Sequence, residues 1–117
     1  MRGALIPLIL GCTSCTWHPA DTALIPDAGR RAEVTLHARR GETKIIGLDV
    51  EGVADIKGDA TIELLLNGAG HKTVQLHGHT TFNWGGDWYS SDAVVRYRPA
   101  SRLTTGSVTL KYRFKTL

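Results

Sequence analysis

The chain has 117 residues, of which 42% are hydrophobic and 21% charged, a composition typical of one small globular domain rather than a disordered or multidomain protein. Its 14 basic and 11 acidic residues give a net charge of +3. That charge is too small to indicate nucleic-acid binding.

A short apolar run ends at a cysteine close to the start of the chain. Ile9-Leu10-Gly11-Cys12 resembles the lipobox of bacterial lipoproteins, and the run Ala4–Leu10 resembles their signal peptide. The resemblance implies that residues 1–11 are removed after export and that Cys12 carries a lipid anchor, palmitate included. With threonine rather than aspartate at position 13, it also implies the outer membrane if the host is Gram-negative. The residues alone leave an alternative, a buried first strand with Cys12 as a small core residue.

Residues 12–31 are predicted to form the lipidated N-terminus and a flexible tether, because they lack periodicity and contain Pro19 and Pro26. Cys15 would then have no partner in its own chain. We expect it to be a bystander thiol, with an intermolecular disulfide or a second acylation as alternatives.

Alternating apolar and polar residues begin at position 32 and predict a domain over residues 32–117 that is built of short, half-buried strands. Turns are predicted at Arg40-Gly41-Glu42, Glu51-Gly52 and Gly58-Asp59. The pair Asn67-Gly68 is a strong hairpin signal. The remaining predictions are strands over 60–66, 71–77, 93–98 and 108–115, a bulge at Gly78 and a turn at Gly85-Gly86-Asp87.

Seven to eight such strands, with essentially no helix after the signal peptide, predict an all-β fold. We favour a small antiparallel β-sandwich of the immunoglobulin-like type, with a small barrel as the alternative. The predicted aromatic core consists of Phe82, Trp84, Tyr112 and Phe114.

A cluster of aromatic residues around two glycines, residues 83–92, is the most distinctive segment of the predicted domain. One interpretation is that one tryptophan packs inside the core and the other covers the end of the core. The other interpretation is a recognition loop, since Trp and Tyr are enriched in binding hot spots. No acidic residue follows Asp92, so basic side chains there either form a solvated face or steer an acidic partner. The predicted partner-binding residues are Asp87, Trp88, Tyr89, Lys111, Arg113 and Lys115.

Two histidines lie two positions apart on a predicted strand, so His77 and His79 would share one face and are weak candidates for zinc or copper ligands. A solvent-facing polar surface explains them more simply, and no metal or cofactor is predicted. The chain has no Gly-x-Ser-x-Gly elbow, phosphate-binding glycine loop or His-Glu-x-x-His pair, so we expect no enzyme activity.

The sequence therefore favours an envelope lipoprotein that binds another envelope protein, for example by masking a receptor or inhibiting an effector. This hypothesis follows from architecture rather than from a motif. The alternatives are a structural lipoprotein that links membrane and cell wall, and a carrier of metal or small ligands that uses the His77/His79 face.

Overall fold

A computed structural model describes residues 20–117, and this part of the chain contains six β-strands and no helix. The strands all pair antiparallel in a single sheet. In chain order they are β1 (Asp21–Ile25), β2 (Ala32–His37), β3 (Ile45–Leu66), β4 (Ala69–Asp87), β5 (Asp92–Pro99) and β6 (Thr105–Thr116).

A long hairpin, formed by β3 and β4, dominates the sheet. Its two strands pair from Gly47 opposite Asp87 to Leu66 opposite Ala69, and Asn67-Gly68 closes it with φ angles of 53° and 82°. Two positive φ values are what a type I′ hairpin turn requires, so this predicted turn is confirmed. The turns predicted at Glu51-Gly52 and Gly58-Asp59 are wrong, because β3 runs through both positions.

The hairpin bends at its middle, where its register shifts between Asp55 and Asp59. Gly58 has a φ of +117° and Gly78, on the opposite strand, a φ of +62°. These backbone conformations favour glycine, and a bulge of this kind bends a strand and increases its twist. The predicted bulge at Gly78 is confirmed.

Because of the bend, β3 pairs with a different neighbouring strand in each of its two halves. The first half of β3 pairs with β6, as far as Lys57 opposite Thr105, and the second half pairs with β5 from Ala60 opposite Pro99. The strand order is β1-β6-β3-β5-β2, with β4 on the other side of β3. The outer strands approach each other, since Arg39, just after β2, lies 3.2 Å from Asp21 at the start of β1. The sheet is therefore nearly closed into a barrel.

The all-β, antiparallel class predicted from the sequence is confirmed, whereas the finer description is not. Six strands lie in residues 20–117 rather than seven or eight, and the shared long hairpin gives no support to an immunoglobulin-like sandwich. The predicted tether is also wrong for part of its length. Asp21–Ile25 pairs with β6, and Ile25 and Ala28 are buried. Pro19 and Pro26 flank this strand, and because prolines are typical of loops, the sequence indicates a tether here rather than a strand.

The core lies between the inward faces of the sheet. Trp84 and Phe114 are buried as predicted, and Phe82 and Tyr112 are partly buried against them. The hydroxyl of Tyr97, on β5, donates a 2.7 Å hydrogen bond to the carbonyl oxygen of Ala28. The largest fully buried side chains are Tyr97, Ile25, Leu36, Ile62, Leu76, Leu110, Val50, Val95 and Val108.

Candidate functional site: a pocket between the ends of the long hairpin

The two ends of the long hairpin meet because of its bend. His71 lies near the start of β4 and Trp88 just after its end, yet their ring centroids are 6.4 Å apart. Between these ends lies a pocket of about 520 Å³, which we call the hairpin pocket. Its size falls within the range of roughly 300–1,000 Å³ that is usual for ligand sites. It is lined by Leu48, Leu64, Leu66, His71, Lys72, Trp84, Gly85, Gly86, Asp87, Trp88, Tyr89 and Ser90.

The floor of the hairpin pocket is apolar and belongs to the core. Leu48, Leu64 and Trp84 are each buried, and all three line the pocket. Trp84 is supported from one side by Phe82, whose ring centroid lies 4.9 Å from that of the indole. Since packed core residues form this floor, the pocket is part of the fold and not a gap in a loop.

Trp88 is one wall of the pocket but does not project into solvent. Its side chain is only 6% exposed, and its indole Nε1 donates a 3.0 Å hydrogen bond to the carbonyl oxygen of Asp92. The interpretation in which the tryptophans pack is therefore confirmed for Trp88, and the alternative of a Trp88 that projects from a recognition loop is wrong. Gly85, Gly86 and Asp87 belong to β4 and form no turn, so the chain turns only after Trp88 has packed inward.

The rim of the pocket carries the groups that a ligand would meet first. Tyr89 is 75% exposed and Leu66 is 43% exposed. Lys72 and His71 contribute from the hairpin tip, and Asp87 from its base. Tyr89 and Asp87, two of the predicted partner-binding residues, thus line this pocket, and their role in binding stays a prediction. An apolar floor with a few polar groups at the rim is the usual composition of a binding pocket.

The three basic residues predicted to steer a partner lie elsewhere. Lys111, Arg113 and Lys115 alternate with inward-facing residues on β6, so they project from the opposite, outer face of the sheet. The neighbouring β3 places Glu51 opposite Lys111 and Asp49 opposite Arg113. An ion pair of 3.5 Å joins Lys115 to Asp49 as well. None of the three basic residues lines the hairpin pocket, and the positive charge is interleaved with acidic residues.

His77 and His79 flank the bend rather than the pocket. Each is exposed, and each places its Nδ1 2.5 Å from a carboxylate on β3: His77 from Asp59, and His79 from Asp55. Within residues 20–117, no group of three or more His, Cys, Asp or Glu side chains could hold a metal ion. Each of the two histidines therefore forms a cross-strand pair with an aspartate on the outer surface of the bend. His37 forms the same kind of pair with Asp92, between β2 and β5.

Five lining residues lie outside the segment that the sequence singles out: Leu48, Leu64, Leu66, His71 and Lys72. Leu64 and Leu66 are ordinary apolar residues of a strand, so nothing in the sequence marks them as site residues. His71 is far from Trp88 along the chain. Only the bend at Gly78 brings them together, and no local sequence signal gives its direction. The lipobox Ile9-Leu10-Gly11-Cys12 and Cys15 lie outside the described residues, and the lipid anchor stays a prediction.

Comparison with known proteins gives a structural likeness but no family. No family model and no curated protein matches the chain. Among solved structures, the chain is similar to a solution NMR structure of a de novo designed double-stranded β-helix, with 17% sequence identity and a TM-score of 0.42. The match covers 84% of this chain and 100% of the designed chain. Within residues 20–117, no helix is long and apolar enough to cross a membrane.

Proposed function

We propose that this chain is an exported lipoprotein, anchored through Cys12, that binds another envelope protein through the hairpin pocket. The observation that carries the binding role is the pocket itself, with its apolar floor and the exposed ring of Tyr89 at its rim. Hot spots in protein interfaces are dominated by aromatic anchors that fill well-packed pockets. The role is binding and not catalysis.

The dimensions of the pocket indicate what the partner contributes. A volume of about 520 Å³ holds one or two large side chains, not an element of secondary structure. The apolar floor of Trp84 and Leu64 favours an apolar or aromatic side chain, which removes its surface from water on binding. Lys72 and Asp87 at the rim select polar groups that flank this side chain, so they contribute to specificity.

Site-specific crosslinking in intact cells tests the proposal. A photoreactive phenylalanine analogue is placed at Tyr89 in one full-length chain and, as a control, at Leu103 in another. Leu103 is 80% exposed but does not line the pocket. We expect a discrete crosslinked protein from position 89 and none from position 103.

A second substitution tests whether the adduct depends on the pocket. Leu66→Asp introduces a charge at the pocket rim and should abolish crosslinking from position 89. The matched variant Val53→Asp, at a similarly exposed strand residue away from the pocket, should not. Crosslinking that persists in Leu66→Asp, or that is equal from positions 89 and 103, would contradict a role for the pocket.

A further inference from the structure

The direction of β1 shows at which end of the sheet the preceding chain joins the domain. Asp21 lies opposite Tyr112, Tyr112 opposite Val50, and Val50 opposite Trp84 of the pocket floor. From Asp21 the strand runs towards the bend, since Ile25 is opposite Val108. Residues before Asp21 therefore join the sheet at the end that carries the hairpin pocket, which we call the pocket end.

The length of that chain limits the distance between the domain and its proposed anchor. Cys12 precedes Asp21 by nine positions. Fully extended, nine residues span at most about 30 Å. A lipid on Cys12 would hold the start of β1, and with it the pocket end, within this distance of the bilayer.

Exposed apolar side chains gather at the pocket end. Ile46 is 40% exposed and Tyr89 75% exposed. They are neighbours through the backbone, because the N–H of Trp88 donates to the carbonyl oxygen of Ile46 and Tyr89 follows Trp88. Leu66, on the pocket rim, is 43% exposed. Tyrosine suits the interface between lipid and water, since its ring is apolar and its hydroxyl is polar.

The charges at this end favour an anionic surface. At this end, Arg40, Lys44 and Lys72 make no ion pair with any residue of the described part of the chain, as is also the case for Arg31, Lys57, Arg102 and Lys111 elsewhere in the fold. Lys44 lies beside Ile46 at the start of β3, and Lys72 lines the pocket. Most acidic groups at this end have a partner: Asp21, Asp49, Asp92 and Glu63 pair with Arg39, Lys115, His37 and Arg98 in turn. Glu42 accepts a hydrogen bond from the Arg39 N–H, and Asp87 lies on the pocket rim.

We propose that the pocket end faces the membrane and that Ile46 and Tyr89 rest on its lipid surface, with Lys44 and Lys72 near anionic headgroups. The proposal builds on the lipid anchor at Cys12 proposed above. It adds an orientation, in which the bend and its histidines face away from the membrane. The hairpin pocket then opens at the lipid surface, within reach of a partner that is itself embedded in the membrane.

Cysteine accessibility in a defined membrane tests this orientation. Full-length chains carry Cys15→Ser and one new cysteine, at Ile46 or Tyr89, or at the control positions Val53 or Leu103. Each purified lipoprotein is reconstituted alone into vesicles of phosphatidylethanolamine and phosphatidylglycerol, then treated with a membrane-impermeant maleimide. We expect labelling at positions 46 and 89 to be several-fold slower than at 53 and 103, and detergent to abolish the difference.

The outcomes distinguish a failure of the proposed orientation from a failure of the proposed lipid anchor. Equal labelling at all four positions, in chains that carry an acyl group, overturns the orientation and leaves the anchor intact. Chains without an acyl group overturn both the anchor and the orientation. Protection of positions 46 and 89 in native membranes but not in the protein-free vesicles shows that a protein and not lipid covers the pocket end, and this also overturns the proposal. Circular dichroism of every variant confirms that the exposed substitutions leave the fold intact.

Discussion

Gly52 allows an aromatic ring to pack directly on the backbone of β3, and replacing it tests how the pocket floor is supported. A Cβ atom at this position would lie 2.0 Å from Cζ of Phe82 and within 2.5 Å of two further ring atoms. The same ring contacts Trp84 of the pocket floor, at 4.9 Å between centroids. Gly52→Ala must therefore displace Phe82 and, through it, disturb Trp84.

Two opposing effects determine the size of the change. Overpacking of a well-packed core costs about 1–3 kcal/mol. Replacing a strand glycine by alanine recovers about 0.5–1 kcal/mol of backbone entropy. We expect Gly52→Ala to lower the free energy of unfolding by about 1–2 kcal/mol, which in a domain of this size is a fall of roughly 4–16 °C in melting temperature.

Thermal and urea unfolding of four variants separates the steric effect from others. Gly70→Ala is the comparison variant, because a Cβ there would meet an end of a polar side chain, Oε2 of Glu63 at 2.8 Å, rather than an aromatic ring. It should lower the stability less than Gly52→Ala does. In a Phe82→Ala background, Gly52→Ala should be neutral or stabilising, because the clashing ring is gone. Equal effects of Gly52→Ala in both backgrounds would refute the argument that Phe82 requires a glycine at position 52.

Three further predictions concern the core and its borders. Trp88→Ala should lower the free energy of unfolding by about 3–5 kcal/mol, measured in urea, because the indole is buried; a near-zero effect would place it on the surface. Burial, with a smaller effect of a nearby aspartate, raises the pKa of Tyr97 above its ordinary value of 10.0. The folded state then retains this proton when the unfolded state loses it, so stability should fall as the pH rises above about 10, and the fall should be smaller in Tyr97→Phe. Tyr97→Phe should also reduce stability by roughly 1–3 kcal/mol at neutral pH, because the carbonyl of Ala28 loses its donor. Asp21→Asn should cause a small loss in melting temperature at low salt and almost none at high salt, because it removes a partly exposed ion pair with Arg39.

Features encoded over a few residues could be predicted from the sequence. Asn67-Gly68 specifies its turn through the φ angles of two adjacent residues. The strict alternation from Val108 to Lys115 specifies β6, because each apolar residue there faces the core. Pro99 ends β5 as expected. In each case the information lies within the element itself.

Features that depend on distant partners could not be predicted. Glycine at position 52 resembles a turn residue, but its role is to make room for Phe82, thirty positions along the chain. The glycine at position 58 resembles a turn residue as well, but it permits a bend, and Thr104 from another loop packs against it. A single sequence does not distinguish a glycine needed for φ from a glycine needed for space.

The candidate site likewise combines features that are local in the sequence with features that depend on distant partners. The sequence indicates its aromatic half, because tryptophan and tyrosine beside two glycines are unusual in composition, and packing of Trp88 is one of the two interpretations. The partners of Trp88 do not follow from the sequence, because they are the carbonyl of Asp92 and the ring of His71 at the other end of the hairpin. The hairpin tip that completes the pocket lies next to Trp88 only once β4 has bent at Gly78.

Because both walls of the pocket belong to one hairpin, the site and the fold depend on the same bend. The hairpin tip contributes Leu66 and Lys72, and its base contributes Trp84 and Tyr89. A movement of the tip away from the base would open the pocket without breaking the pairing of β3 with β4, since that pairing runs along the strands and not across the pocket. A ligand that contacts tip and base together would stabilise the bent state by its preference for that state. The affinity of the pocket should thus depend on residues at the bend that never touch the ligand, such as Gly58 and Gly78. Conversely, Trp84 in the floor and Trp88 in the wall are buried, and Trp88 packs near His71 of the hairpin tip, so the same residues that line the pocket also hold tip and base together when no ligand is bound.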